Sequence, residues 1–187
     1  MIQMNLHPNL FCDKIFQGIS VFTAWVTYKF KFCGVNMKVV SGEPFLNQIK
    51  EMIKTYTEML ARDLSFQNLD DELANPADKY FPPAGEILVA LENGELLGMV
   101  AYHRHSDKRC EMKRLFVYPQ YRGKNVGEEL VCEIIKHARN AGFREMVLDT
   151  LSPMKEAIAL YRKNGFAECE PYYNNPFPDV IYMKKSL

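Results

Sequence analysis

Arg122, Gly123, Lys124, Asn125, Val126 and Gly127 form a short basic turn between a strand-like run and an amphipathic run. These residue types in this order suit anion binding. A glycine-containing turn that opens a helix leaves backbone N–H groups unpaired and presents the positive end of the helix dipole. Phosphate binds at such places, and Arg122 and Lys124 add two positive charges. Asn125 holds the middle of the turn, and Asn tolerates the left-handed conformation better than other non-glycine residues. The side chains that could move protons near this turn or its neighbouring segments are Glu111, Asp149, His103, His105 and Tyr161.

The elements that must position these groups can be read from hydrophobic period and turn chemistry. Residues 111–117 read as a buried strand, stopped by Pro119, which cannot donate to a sheet ladder. Val126, Leu130, Ile134 and Ala138, with Val131 and Ile135 beside them, make the stripe of an amphipathic helix. Upstream, 37–40 is a short strand, and Ser41 can cap the helix that follows, with Glu43 in its first turn. Ile49, Met52, Ile53, Tyr56, Met59 and Leu60 form the apolar side of that helix. A second short helix is expected over 66–74, then loops at Asn75-Pro76 and at 82–85. Strands over 86–91 and 95–105 flank Asn93-Gly94, a strong two-residue hairpin turn. After the long helix, Gly142 is a natural C-cap. The strand over 145–150 should lie parallel to 111–117 through a right-handed crossover. A helix over 153–164 closed by Gly165, and a strand pair over 166–172 and 180–184, complete the chain. The expected fold class is α/β (α+β): a mixed, mostly antiparallel sheet with one parallel pair and helices on both faces.

Composition narrows the function. At 187 residues the chain suits one domain with a sizeable core. Lys plus Arg equals Asp plus Glu, at 23 each, a balance that points to no nucleic-acid partner. Cys12, Cys33, Cys110, Cys132 and Cys169 contain no CxxC pair and no metal spacing, so they read as reduced thiols of a cytoplasmic protein. Residues 1–36 are aromatic-rich and unlike the rest, and their apolar part is too short and interrupted for a membrane helix of about 20 residues. They read as an extension outside a domain at 37–187, with Met37 a possible native start; an extra element covering a hydrophobic face is the alternative.

The turn and its flanks resemble motif A of the GNAT superfamily of N-acetyltransferases. The strand over 111–117, Leu148-Asp149-Thr150-Leu151, and the segment from Leu160-Tyr161 to Gly165-Phe166 are similar to GNAT segments in the same order. With the preceding hairpin the resemblance covers 37–187, and it departs from the family at Asn125, where glycine is usual. It implies a sheet whose parallel pair splays apart where acetyl-CoA enters. It also implies that 122–127 hold the pyrophosphate, that the Leu115 N–H meets the thioester oxygen, and that the Val117 backbone holds the pantetheine amide. The implied activity is acetyl transfer from acetyl-CoA to a primary amine, directly and without a metal. A small-molecule acceptor is expected, in a monomer or homodimer; a protein or peptide acceptor, or a CoA-binding module without turnover, are the other readings.

Such a reaction needs a neutral amine and a hydrogen bond or proton for the departing thiolate. An alkylammonium titrates near ~10 by analogy with Lys, and a carboxylate can take its proton directly or through water. The resemblance implies Glu111 as that base, with Asp149 second and His103 and His105 weaker; Glu111 could equally be a strand carboxylate paired with Lys113. It implies Tyr161 as the acid, a phenol being a donor at neutral pH, although a Tyr there could simply pack on the sheet. Cys110 is not expected to act as a nucleophile beside Glu111. Phe66, Tyr80, Phe81, Tyr172, Tyr173 and Phe177 are candidates to line the acceptor pocket, and Asp70, Asp71 and Glu72 to attract a cationic amine.

Overall fold

The computed structural model describes residues 37–187, so the expectation for the first 36 lies outside the described residues. Seven strands form one sheet in the order β1-β2-β3-β4-β5-β7-β6. They are β1 Lys38–Ser41, β2 Gly85–Glu92, β3 Glu95–Arg104, β4 Arg109–Val117, β5 Glu145–Leu151, β6 Ala167–Glu168 and β7 Val180–Ser186. All neighbours are antiparallel except β4 and β5. The helices are α1 Leu46–Leu60, α2 Leu69–Ala74, α3 Pro76–Tyr80, α4 Val126–Asn140 and α5 Lys155–Lys163.

Alternation along the central strands divides the core in two. Ile87 and Val89 of β2, with Met99 and Ala101 of β3, pack on Ile49, Met52 and Ile53 of α1. Leu88, Ala90, Val100 and Tyr102, the intervening residues, pack on the Val126-Leu130-Ile134-Ala138 stripe of α4. Successive side chains of a strand point to opposite faces, so a strand apolar at every position is covered on both sides. Asn93 and Gly94 both have positive φ, as the expected hairpin turn requires, and Glu92 pairs with Glu95 across it.

Two irregularities place the site. The parallel pairing of β4 and β5 runs only through Arg109↔Glu145, Cys110↔Met146 and Glu111↔Val147. Beyond it both strands continue, to Val117 and Leu151, without pairing to each other. On the other side of β4, Lys113 faces Ala101 and Phe116 faces Met99, so Arg114 and Leu115 together stand opposite Val100. This is a β-bulge, and Arg114 takes a left-handed φ of 56° within it.

Four expected boundaries change. Asn75-Pro76 begins α3 rather than a loop, because Pro at the first helical position lacks an N–H that would be unpaired there anyway. The stretch over 66–74 divides into a 3₁₀ turn, Ser65–Gln67, and α2, parted by left-handed Asn68. Ser41 Oγ accepts the Glu43 N–H at 3.3 Å, but it caps a 3₁₀ turn, Glu43–Phe45, that precedes α1. The strand after Gly165 is only two residues long, since Tyr172 and Tyr173 are drawn away to carboxylates of β4 and β5.

Candidate active site

The basic turn adopts the geometry that phosphate binding requires. Gly123 has φ +72°, and Asn125, at the N-cap of α4, has φ +61°. The Asn125 side chain makes no capping hydrogen bond, so the first N–H groups of α4 are not consumed by it. A Cβ built on Gly127 would meet Leu160 Cδ2 at 3.4 Å and Val117 Cγ2 at 3.7 Å, ordinary contacts. Packing therefore does not demand glycine at 127; a ligand lying along the turn does. Arg122 Nε donates to the Val117 carbonyl at 3.1 Å, and the Lys124 ammonium lies 5.3 Å from the Tyr121 ring centroid. Glu128, an acid in the first turn of α4, is paired with Lys163 at 2.7 Å.

Three cavities run together through the opening between β4 and β5. A groove of about 600 Å³ is bounded by the turn, by Leu115 and Val117 of β4, and by Met154 to Ala157 at the start of α5. A junction of about 70 Å³ shares Leu115, Met154 and Ala157 with it and adds Tyr161, Asp149 and Lys113. A second cavity of about 630 Å³ shares Gln67 and Lys113 with the junction. Of the residues expected to hold the cofactor, Leu115, Val117, Arg122, Gly123, Asn125, Val126 and Gly127 all border the groove. Lys124 is the exception and lies against Tyr121. The groove meets the needs of a long, diphosphate-bearing co-substrate: unpaired N–H groups, a glycine no packing explains, and a narrow end at Leu115.

The polar floor is a dense network. Glu111 is 5 % exposed. One of its oxygens accepts from His103 Nε2 at 2.8 Å; the other accepts from Tyr172 at 2.8 Å and Lys113 Nζ at 2.7 Å. Burial alone would raise the Glu111 carboxyl, but the hydrogen bond from His103 and the charge of Lys113 reverse this and hold it at about 2. Lys113 also donates to Asp149 at 2.9 Å, and Asp149 accepts from Tyr173 at 3.0 Å and Asn175 at 3.1 Å. Burial disfavours the Lys113 charge, yet the two carboxylates leave its pKa above the usual value. Both readings of Glu111 therefore meet in one place: it is paired with Lys113, and it lines the larger cavity. Tyr161 lies in the junction, 8 % exposed, and burial pushes its phenol pKa up, so it is a neutral donor. The Cys110 thiol is buried and pushed up to about 12, which leaves no thiolate at neutral pH.

Beneath the bulge lies a second buried cluster. Arg114, 4 % exposed, donates from Nε to Glu72 at 2.5 Å and from a terminal nitrogen to the other Glu72 oxygen at 2.9 Å. Lys79 adds a third contact to Glu72, at 2.8 Å. Burial would raise the Glu72 carboxyl, and the Arg114 guanidinium and Lys79 ammonium outweigh it, holding it at about 2. The expectation that Asp70, Asp71 and Glu72 attract an amine is thus corrected. Asp70 and Asp71 are exposed on α2, and Glu72 points inward to Arg114.

The aromatic candidates divide as well. Phe66 and Tyr173 line the larger cavity, and Phe177 lines the junction with its ring 5.5 Å from that of Phe66. Tyr172 reaches the network through Glu111. Tyr80 is fully buried in the core beneath α1, and Phe81 packs against the same cluster, so neither is a pocket residue. Arg114 escaped sequence reasoning, because nothing local marks a bulge in an otherwise regular strand. Lys113 was legible only as a partner of Glu111, through their two-residue spacing on one strand face.

Comparison with known proteins agrees with this geometry. Residues 48–166 match the model of the acetyltransferase (GNAT) family. An uncharacterised N-acetyltransferase of Schizosaccharomyces pombe is 48% identical over 155 residues, which span 82% of this chain and 95% of that one. Among solved structures, an acetyltransferase from Streptococcus agalactiae superposes with a TM-score of 0.66 at 28% identity, covering 83% of this chain and all of that one. A putative acetyltransferase of Salmonella typhimurium, solved with its cofactor acetyl-CoA, shares the fold with a TM-score of 0.63 at 23% identity, over 80% of this chain and 93% of that one. The sheet that opens beside a basic turn is that of an acyltransferase. The chain belongs to the GNAT acetyltransferase family.

Proposed function

We propose that residues 37–187 transfer the acetyl group of acetyl-CoA to a primary amine of a small molecule, directly and within a ternary complex. The observation that carries this reading is the continuity of the groove, the junction and the larger cavity at Leu115 and Lys113. A co-substrate along the turn and an acceptor in the cavity then meet at one point. At about 630 Å³ the cavity falls in the range of small-molecule sites, about 300–1,000 Å³.

Acetyl-CoA, when bound, supplies an activated acyl group; the chain supplies alignment and hydrogen bonds. N–H groups at 126–128, with Arg122, hold the diphosphate. The Val117 carbonyl has a second lone pair beside its bond from Arg122, which can receive the pantetheine amide. The bulge at Arg114 interrupts the ladder next to Leu115, so its N–H can serve the thioester oxygen, a fixed dipole where charge develops. Tyr161 stabilises the departing sulfur. A phenol of ordinary pKa ~10 or above lies at least ~1.5 units over a thiol near ~8.5, so complete proton transfer is uphill by roughly 2 kcal/mol. Its role is therefore a donated hydrogen bond.

Glu111 receives the amine's proton, with His103 bonded to it. A carboxylate at about 2 cannot strip a free alkylammonium, which lies ~8 units higher. It acts as the new N–C bond forms and the nitrogen turns strongly acidic, on an amine that arrives uncharged. The test is thiol release from acetyl-CoA across a panel of primary amines, alongside calorimetry with CoA. Acetylation of at least one small amine supports the reading. CoA affinity with no turnover on small amines, but turnover on peptides, replaces it with a peptide acceptor.

A further inference from the structure

The lining of the acceptor cavity is rich in donors. Its charged side chains are Lys79, Lys113, His103 and His105 on the basic side and Glu111 alone on the acidic side. Glu111 is saturated by His103, Tyr172 and Lys113. Asp149, behind it in the junction, is equally engaged by Lys113, Tyr173 and Asn175. A purely cationic ligand would meet like charge here and find no carboxylate to accept it.

The ammonium groups are not exhausted in the same way. Each carries three N–H donors. Lys79 gives one to Glu72, while Lys113 gives one to Glu111 and one to Asp149. The Lys79 side chain is 26% exposed, and His105 sits exposed with its ring edge-on to Tyr172 at 5.6 Å. Lys113 borders both the cavity and the junction, so it marks the inner end, and Lys79 lies in the cavity wall away from the junction.

We propose that the acceptor is an amine that also bears an anionic group, a carboxylate, phosphate or phosphonate, and that Lys79 and His105 receive this anion while the amine points inward past Lys113. The anion supplies the acceptor atoms that the lining lacks. It also orients the molecule, because only the end without the anion faces the junction. This inference deepens the proposed N-acetyltransferase activity and rests on it.

The experiment uses matched acceptors assayed by thiol release from acetyl-CoA. Amino acids, aminoalkyl phosphates and aminoalkylphosphonates are each run beside a neutral counterpart, such as the amino acid amide or the amine without its anion. A kcat/KM at least tenfold higher for the anionic member in one of these series is expected, and the series that responds identifies the anion. Lys79→Gln is expected to cut that anionic-over-neutral ratio at least fivefold, and Lys79→Arg to retain most of it. Because Lys79 also touches Glu72, His105→Gln is measured in parallel; it is exposed and should cut the ratio by a smaller factor. General damage to the fold lowers both members of a pair and leaves the ratio alone. Equal or better turnover of the neutral members, or a ratio unmoved by both substitutions, overturns the inference while leaving the acetyltransferase reading intact. No thiol release with either kind of amine overturns both.

Discussion

Replacing Glu72 by Gln should be among the most damaging near-isosteric changes in this chain. The side chain keeps its size, so no cavity opens, but the Arg114 guanidinium loses its only close carboxylate among the described residues while remaining 4 % exposed. Two routes give the magnitude. The Glu72 carboxyl is held at about 2 instead of 4.5, and at ~1.4 kcal/mol per unit that is roughly 3 kcal/mol of stabilisation at neutral pH. Breaking a buried pair by removing one partner costs about 3–5 kcal/mol in general. Against a total of about 5–15 kcal/mol this is a large fraction, and it corresponds to a fall in Tm of roughly 6–12 °C for a domain of this size. The sign with pH follows from a depressed folded value. The contribution is complete above about 4.5 and disappears as pH falls toward about 2, so the curves of wild type and variant should converge in acid. Urea unfolding of Glu72→Gln, Arg114→Met and the double variant measures the coupling. Because Arg114 forms the bulge beside Leu115, kcat should fall at temperatures where the variant remains folded. A loss under about 1 kcal/mol, or additive single costs in the cycle, refutes the reasoning.

Gly127→Ala should leave thermal stability unchanged or slightly raised, since its Cβ meets only ordinary contacts, while raising the KM for acetyl-CoA at least tenfold; unchanged KM would detach the turn from the co-substrate. Tyr161→Phe should lower kcat about 10–100-fold with CoA affinity within twofold by calorimetry, because only a hydrogen bond to the departing sulfur is lost. Glu111→Gln should lower kcat with little effect on CoA affinity. Wild-type Glu111 remains ionised down to about 2, so in the acid limb of the pH–rate profile no inflection should appear near 4.5. The stability Glu111 contributes is present above 4.5 and fades as pH falls toward about 2, which acid unfolding of wild type and variant will separate.

Local chemistry was legible and long-range charge was not. The Asn93-Gly94 hairpin and the basic turn are set by residues adjacent in the chain, and both appear where their turn chemistry places them. Asn125 at φ +61° is the left-handed residue that the turn needs. The acidic run at 70–72 misled because helix periodicity sends only one of three successive residues inward, and its partner lies 42 positions away on β4. The short β6 misled for a similar reason. A β-rich pattern over 166–172 promised a ladder, but the hydroxyls of Tyr172 and Tyr173 are better satisfied by Glu111 and Asp149. Glu111 itself was read correctly as lying on the motif strand, and the spacing to Lys113 already allowed the ion pair that now surrounds it.

The three-rung pairing of β4 and β5 gives the sheet a spine and two leaves. Just past the last rung, two residues beyond Glu111 and two beyond Val147, a single ammonium bridges the leaves as Lys113 meets Asp149 at 2.9 Å. A side-chain clasp stands where the next backbone rung would have been. The gap is therefore held at a set width by charge rather than by peptide groups, and whatever competes for that one ammonium also loosens the hinge of the book.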